Sequence, residues 1–140
     1  MIMNYELTDE TIQYDGRTLY RIRAIKDMPM HGVKAGDLGG FIEKVENLTG
    51  NAWVFGNAVV CGDATVFGCA EVFGDADVCG NAWVFGDAKV SGFAWVFGNA
   101  KVSGNAWVAD DAKVYGNAKV SGNAWVSGNA KVFGYTAVNQ

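Results

Sequence analysis

Valine occupies every sixth position from Val54 to Val138 without exception. Around it the chain divides into fifteen hexads, from GNAWVF at 50–55 to GYTAVN at 134–139. Their consensus is Gly-[Asn/Asp]-Ala-x-Val-z; Gly gives way only at Asp110 and Ala only at Thr136. A period this short and strict leaves few folds open. Six residues cannot bury a core alone, so the units must stack on one another. Within each hexad, Ala-x-Val-z reads as a short strand with Ala and Val on one face and x and z on the other. Gly-Asn makes the corner, because both residues tolerate positive φ. Stacked in parallel at about 4.8 Å per turn, such units enclose a narrow interior lined by Ala and Val.

The Val-z-Gly-Asn-Ala-x beat over residues 50–139 resembles the hexapeptide repeat of left-handed parallel β-helix proteins, the hexapeptide-transferase superfamily. The resemblance implies three hexads per triangular coil and a left hand. Five coils then stand about 24 Å tall. Upstream, Ile12-Gln13-Tyr14 and Arg17 to Ile25 flank Asp15-Gly16, which predicts a β-hairpin with a tight turn. LYRIRAI (19–25), VKAGDLGGFIE (33–43) and ENL (46–48) resemble the N-terminal cap of YdcK-like, polymer-forming β-helix proteins of phages and prophages. VKAGDLGGFIE already hints at the six-residue beat from Val33. The expected fold is all-β: a left-handed parallel β-helix of about five triangular coils (50–140) behind an N-terminal β-hairpin cap region (1–49).

A rival geometry has a period of twelve. Trp83, Trp95 and Trp107 alternate with Lys89, Lys101 and Lys113, so two hexads per coil would give a flat solenoid with a Trp column and a Lys column. Lys119 and Trp125 break both columns and favour the triangular coil.

Function is less constrained. The net charge of −4 is too mild to indicate a partner, and no duplex nucleic acid is expected. MIMNYELTDETIQYDG has neither a basic leader nor a signal-length apolar stretch, and no run approaches the ~20 apolar residues of a membrane span. A cytoplasmic protein is expected, in the host cytoplasm if the chain is phage-encoded. Cys61, Cys69 and Cys79 lack metal-type spacing and read as reduced, space-filling residues. No metal or other cofactor is expected.

With eighteen residues per coil, all five Trp, six Phe and Tyr115 point outward. That is more apolar surface than a monomer comfortably exposes. Trp53, Phe55, Phe67, Phe73, Phe85, Trp125 and Phe133 are the expected oligomer interface, and the superfamily resemblance makes a trimer the first choice. A competing role for these rings is to stack on one another and stabilise neighbouring coils. Trp83, Trp95, Phe97, Trp107 and Tyr115, with Lys101, Lys113, Lys119 and Lys131, form a candidate partner or anion surface, offering charge beside stacking planes. Arg17, Arg21 and Arg23 alternate onto one side of a hairpin strand and could extend it. Otherwise these cations are a solvated face that resists aggregation.

Acyltransferases of this shape use a histidine base, whereas this chain has only His31, in DMPMHG ahead of the repeats. The expectation is therefore a non-catalytic, oligomeric binding or scaffold protein. Its partner would be a host macromolecule, with an anti-defence role, or a sequestered nucleotide-type ligand. The alternatives are a CoA-dependent acyltransferase, and a self-polymerising structural protein, since TAVNQ carries no obvious capping element.

Overall fold

The structure is a computed structural model that describes residues 3–139. It is a left-handed parallel β-helix of about six turns. Each hexad contributes one short strand, from Trp53–Val54 to Ala137–Asn139. Every hexad strand up to Lys119–Ser121 pairs in parallel with the strand eighteen residues on. Val60 faces Val78, Val96 faces Val114, and Val102 faces Val120. This register gives three sheets around one axis and excludes the flat, two-sided solenoid. Five full coils follow at 50–67, 68–85, 86–103, 104–121 and 122–139. Parallel pairing begins earlier, however, where Phe41 and Ile42 face Val59 and Val60 and add part of a further turn.

Most hydrogen bonds between coils run one way, while the N–H of the Val slot points back to the preceding coil, as the parallel register of Val59–Val60 with Asp77–Val78 requires. The N–H of Val59 donates to Ala76, that of Trp95 to Ala112, and that of Lys101 to Ala118, each to the carbonyl seventeen residues on. Ala and Val side chains fill the axis, and those from Ala58 to Val120 are essentially solvent-free. At about 25 cal/mol per Å² of apolar surface, this unbroken column is the main stabilising term.

The corners depend on glycine. Gly98 has φ 66°, and a Cβ there would lie 2.9 Å from the backbone nitrogen of Gly116. Asp110, the one substitution, takes φ 58°, a region Asp tolerates better than most residues. Its carboxylate accepts a hydrogen bond from the Gly128 N–H at 2.9 Å.

The cap is a long hairpin of β1 (Tyr5–Tyr14) and β2 (Arg17–Ala24), turning at Asp15-Gly16. β2 pairs antiparallel with β3 (Leu38–Ile42), which leads into the parallel stack. Gly39 and Gly40 let β3 enter the first coil, since a Cβ on either would lie 2.5 Å from a backbone oxygen. The hairpin and the segment after it cover two outer faces of that coil. Leu19 packs on Phe41, Val59 and Cys61, while Ile22 and its neighbours enclose Trp53.

Gly98→Ala should destabilise the protein by more than about 1 kcal/mol, because it combines an unfavourable φ with a backbone clash. Urea unfolding followed by circular dichroism would show the midpoint falling. An unchanged midpoint would mean that the corner is looser than described.

Candidate functional site: aromatic and lysine ladders beside a capped first coil

The forward bias of the hydrogen bonding leaves the start of the stack with carbonyls that the partial turn through β3 does not reach. Side chains of the cap fill those places. Asn4 Nδ2 donates to Gly50 O at 2.8 Å, and the Tyr5 hydroxyl lies 2.8 Å from Leu48 O. Arg21 reaches Gly56 O at 3.2 Å, and His31 Nε2 lies 2.6 Å from Asn51 O, a corner carbonyl of a slot that accepts no bond between coils elsewhere in the stack. Buried Asn47 donates to Gly62 O and Ala64 O, and accepts from the N–H groups of Glu43 and Lys44. Burial and the nearby Glu46 carboxylate push the Tyr5 phenol far above its ordinary range, so it remains a donor. Asn4, Tyr5 and Asn47 were missed as functional residues in the sequence, because their task is visible only once the orphan carbonyls are located.

Several residues read from sequence as ligand or interface candidates are committed within the chain. Trp53 is only 1% exposed, buried beneath the cap, and is therefore withdrawn from the oligomer interface. Arg17 pairs with Glu43 at 2.8 Å, Arg21 with Glu10 at 2.9 Å, and Arg23 with Glu6. Arg21 also stacks on Phe41. These three arginines tie the cap together instead of forming an open anion site. His31 places Nδ1 2.6 Å from the Glu71 carboxylate, and with its Nε2 contact neither ring nitrogen is directed at open space.

The outer columns explain the recurrence of Trp and Lys. Trp and Lys alternate every six residues in the middle hexads, but vertical neighbours are eighteen apart. An alternation of period twelve, sampled at eighteen, sets each Trp beside a Lys. Lys101 Nζ lies 4.9 Å from the ring centre of Trp83, Lys113 5.1 Å from Trp95, and Lys89 5.3 Å from Trp107. Such cation–π contacts contribute about 0.5–1 kcal/mol each at exposed sites. Where the alternation breaks, like meets like: Trp107 stacks on Trp125 at 5.5 Å, and Lys101 neighbours exposed Lys119.

The z positions stack as well. Phe67 lies parallel to Phe85 at 4.9 Å, and Phe97, Tyr115 and Phe133 form a continuous pile. Phe55 meets Phe73 edge-on. Phe55, Phe67, Phe73 and Phe85 are consequently half-buried against ring neighbours of their own chain. Trp107 lies across small z residues and donates its indole N–H to Ser91 at 2.8 Å. The large rings left open lie mostly in later coils, with Trp125 at 68% and Phe133 at 53% exposed. Phe93 and Trp95 line a cleft of about 610 Å³ with Asp75 and Asp111 as well as Lys113 and Lys131.

Fold and site together define a capped β-solenoid of stacked parallel coils. The family profile described as the YdcK beta solenoid repeat matches residues 112–128, within the fourth and fifth full coils. That match and the stacked coils agree with a protein of the β-helix superfamily. No curated protein matches the chain in sequence. Among the described residues, no helix is long and apolar enough to cross a membrane.

A double-mutant cycle of Trp95→Ala and Lys113→Ala should give a favourable coupling of about 0.5–1 kcal/mol in urea unfolding. Strict additivity of the two single changes would mean that the pair is close but not interacting.

Proposed function

We propose that the chain is a non-catalytic β-helix scaffold that self-associates, with a trimer as the expected assembly, and presents a rigid surface to a macromolecular partner. The observation carrying this reading is the set of large rings that stay exposed even where a ladder covers one side of them. Phe93, Trp95, Trp125 and Phe133 stand open on the later coils. Rings of this kind bury about 150–250 Å² each when fully covered, so even at 44–68% exposure these four leave apolar area for an interface to bury.

A second copy of the chain is the occupant that fits best. The cleft beside Phe93 and Trp95 carries two acids and two lysines. A mixed-charge apolar surface suits a partner bearing the same residues. It suits a nucleotide less, because Asp75 and Asp111 would oppose its phosphates and Lys113 is held over Trp95. The occupied ring nitrogens of His31 support the non-catalytic part of the reading over an acyltransferase, whose base needs a free lone pair. A host-derived partner rests on the resemblance to phage and prophage caps.

Native mass spectrometry and light scattering across a wide concentration range test the assembly. A single oligomer is expected, with a trimer the first choice. Trp125→Ser combined with Phe133→Ser should shift it to monomer without loss of β structure. A wild-type monomer at every concentration would overturn self-association, and an open-ended series of sizes would favour a polymer.

A further inference from the structure

Cys61 and Cys79 occupy successive rungs of one column, next to the paired Val60 and Val78. Parallel strands at about 4.8 Å bring their Cα atoms into the range of about 4.4–6.8 Å that a disulfide spans. Both are free thiols, with their sulfurs 2.7 Å apart. They line a cleft of about 630 Å³ between the hairpin tip and the sheet, with Tyr14 and Arg17 on one side and Asp77 and Trp95 on the other. The Tyr14 hydroxyl donates to the Asp77 carboxylate and fastens the tip over the pair.

We propose that Cys61 and Cys79 are a peroxide-oxidised dithiol site, closing to a disulfide that joins two coils beneath the hairpin. This goes beyond the scaffold reading and stands independently of it. The hydrogen bond from Cys79 and the positive charge of Arg17 favour the Cys61 thiolate, against the effect of burial. Sharing its proton with Cys61, together with burial, pushes the Cys79 thiol far up, so the shared proton stays on Cys79. The thiolate is the nucleophile in such chemistry. Cys61 is only 3% exposed, which blocks a bulky disulfide, and a small oxidant such as hydrogen peroxide would approach through the cleft that Cys61 and Cys79 line.

In the first step the Cys61 sulfur attacks one peroxide oxygen and the O–O bond breaks. Cys61 becomes a sulfenic acid, and the departing hydroxide takes the Cys79 proton to leave as water. The Cys79 thiolate then attacks the Cys61 sulfur, the S–O bond breaks, and that hydroxide takes up a solvent proton. Overall, two thiols and one peroxide give one disulfide and two waters. Two electrons pass from the sulfurs to the peroxide.

The test uses the reduced full chain, treated with hydrogen peroxide and quenched at intervals by alkylation. Cys69 is an internal control; it lies in a different cleft, beside His31, and is more exposed than Cys61. Exposure alone would oxidise Cys69 first. The proposal expects the Cys61–Cys79 pair to react at least about tenfold faster. Intact mass should fall by two hydrogens, and digestion should recover Cys61 linked to Cys79 with Cys69 alkylated. Cys79→Ser should leave a Cys61 sulfenic acid that dimedone labels. Arg17→Gln should move the pH profile of the peroxide reaction upward. Reaction of the wild-type pair no faster than Cys69, or an absent Cys61–Cys79 linkage, overturns the proposal and needs no variant. An unmoved profile in Arg17→Gln removes Arg17 from it.

Discussion

The parallel register of residues eighteen apart, in which the x, z and corner N–H groups donate to carbonyls seventeen residues on, is the constraint from which the rest of the molecule follows. It gives the solenoid a direction, with most donors facing the later coils and most acceptors facing the earlier ones. A polar stack of this kind needs different chemistry at its two ends. At the N-terminal end the need is for donors, and the cap supplies them from side chains of Asn4, Tyr5, Arg21 and Asn47. Leaving the buried carbonyls of Leu48 and Ala64 unpaired would cost about 1–3 kcal/mol each, enough to fray a narrow coil whose interior is mostly Ala and Val. The hairpin is therefore part of the β-helix in energetic terms.

The same register decides what the outer surface can be. Residues eighteen apart touch, so the side-chain sequence is read in three columns. Trp beside Lys, Phe on Phe, and Trp over Ser are vertical contacts between successive coils. Each is weak alone, but together they stiffen a rod with almost no side-chain variety in its interior. The ladders also settle which rings stay available. A ring with an aromatic neighbour above and below is half-covered. A ring at a break in the pattern, such as Trp125, is open.

Much of the β-helix is legible from the fifteen valines, because inward position, corner geometry and stacking all repeat with the same period. Column membership follows once three hexads make a coil. The Trp–Lys contacts were legible too, since a twelve-residue alternation sampled at eighteen must pair unlike residues. The cap was not. Trp53 is identical in type and slot to Trp83, yet one is buried and the other exposed. The difference is made by Ile22 and Gly39, more than ten residues away in a segment without periodicity. The arginines of β2 looked like an exposed stripe because their partners lie elsewhere in the cap, Glu6 and Glu10 on β1 and Glu43 just past β3. The Cys61–Cys79 column was readable as a register, but its roof of Tyr14 and Arg17 depends on how the hairpin leans over the sheet.

The measurement that bears most directly on the eighteen-residue coil is dipolar broadening between nitroxide spin labels in solution. With Cys61, Cys69 and Cys79 changed to alanine, labels are placed at 101 and 119 in one protein and at 101 and 113 in another. Residues 101 and 119 face each other across one rung, whereas residue 113 belongs to a different sheet. Strong broadening for the first pair and none for the second is the predicted result. The reverse would mean that twelve residues, not eighteen, complete a turn, and both the columns and the cap contacts built on them would be wrong.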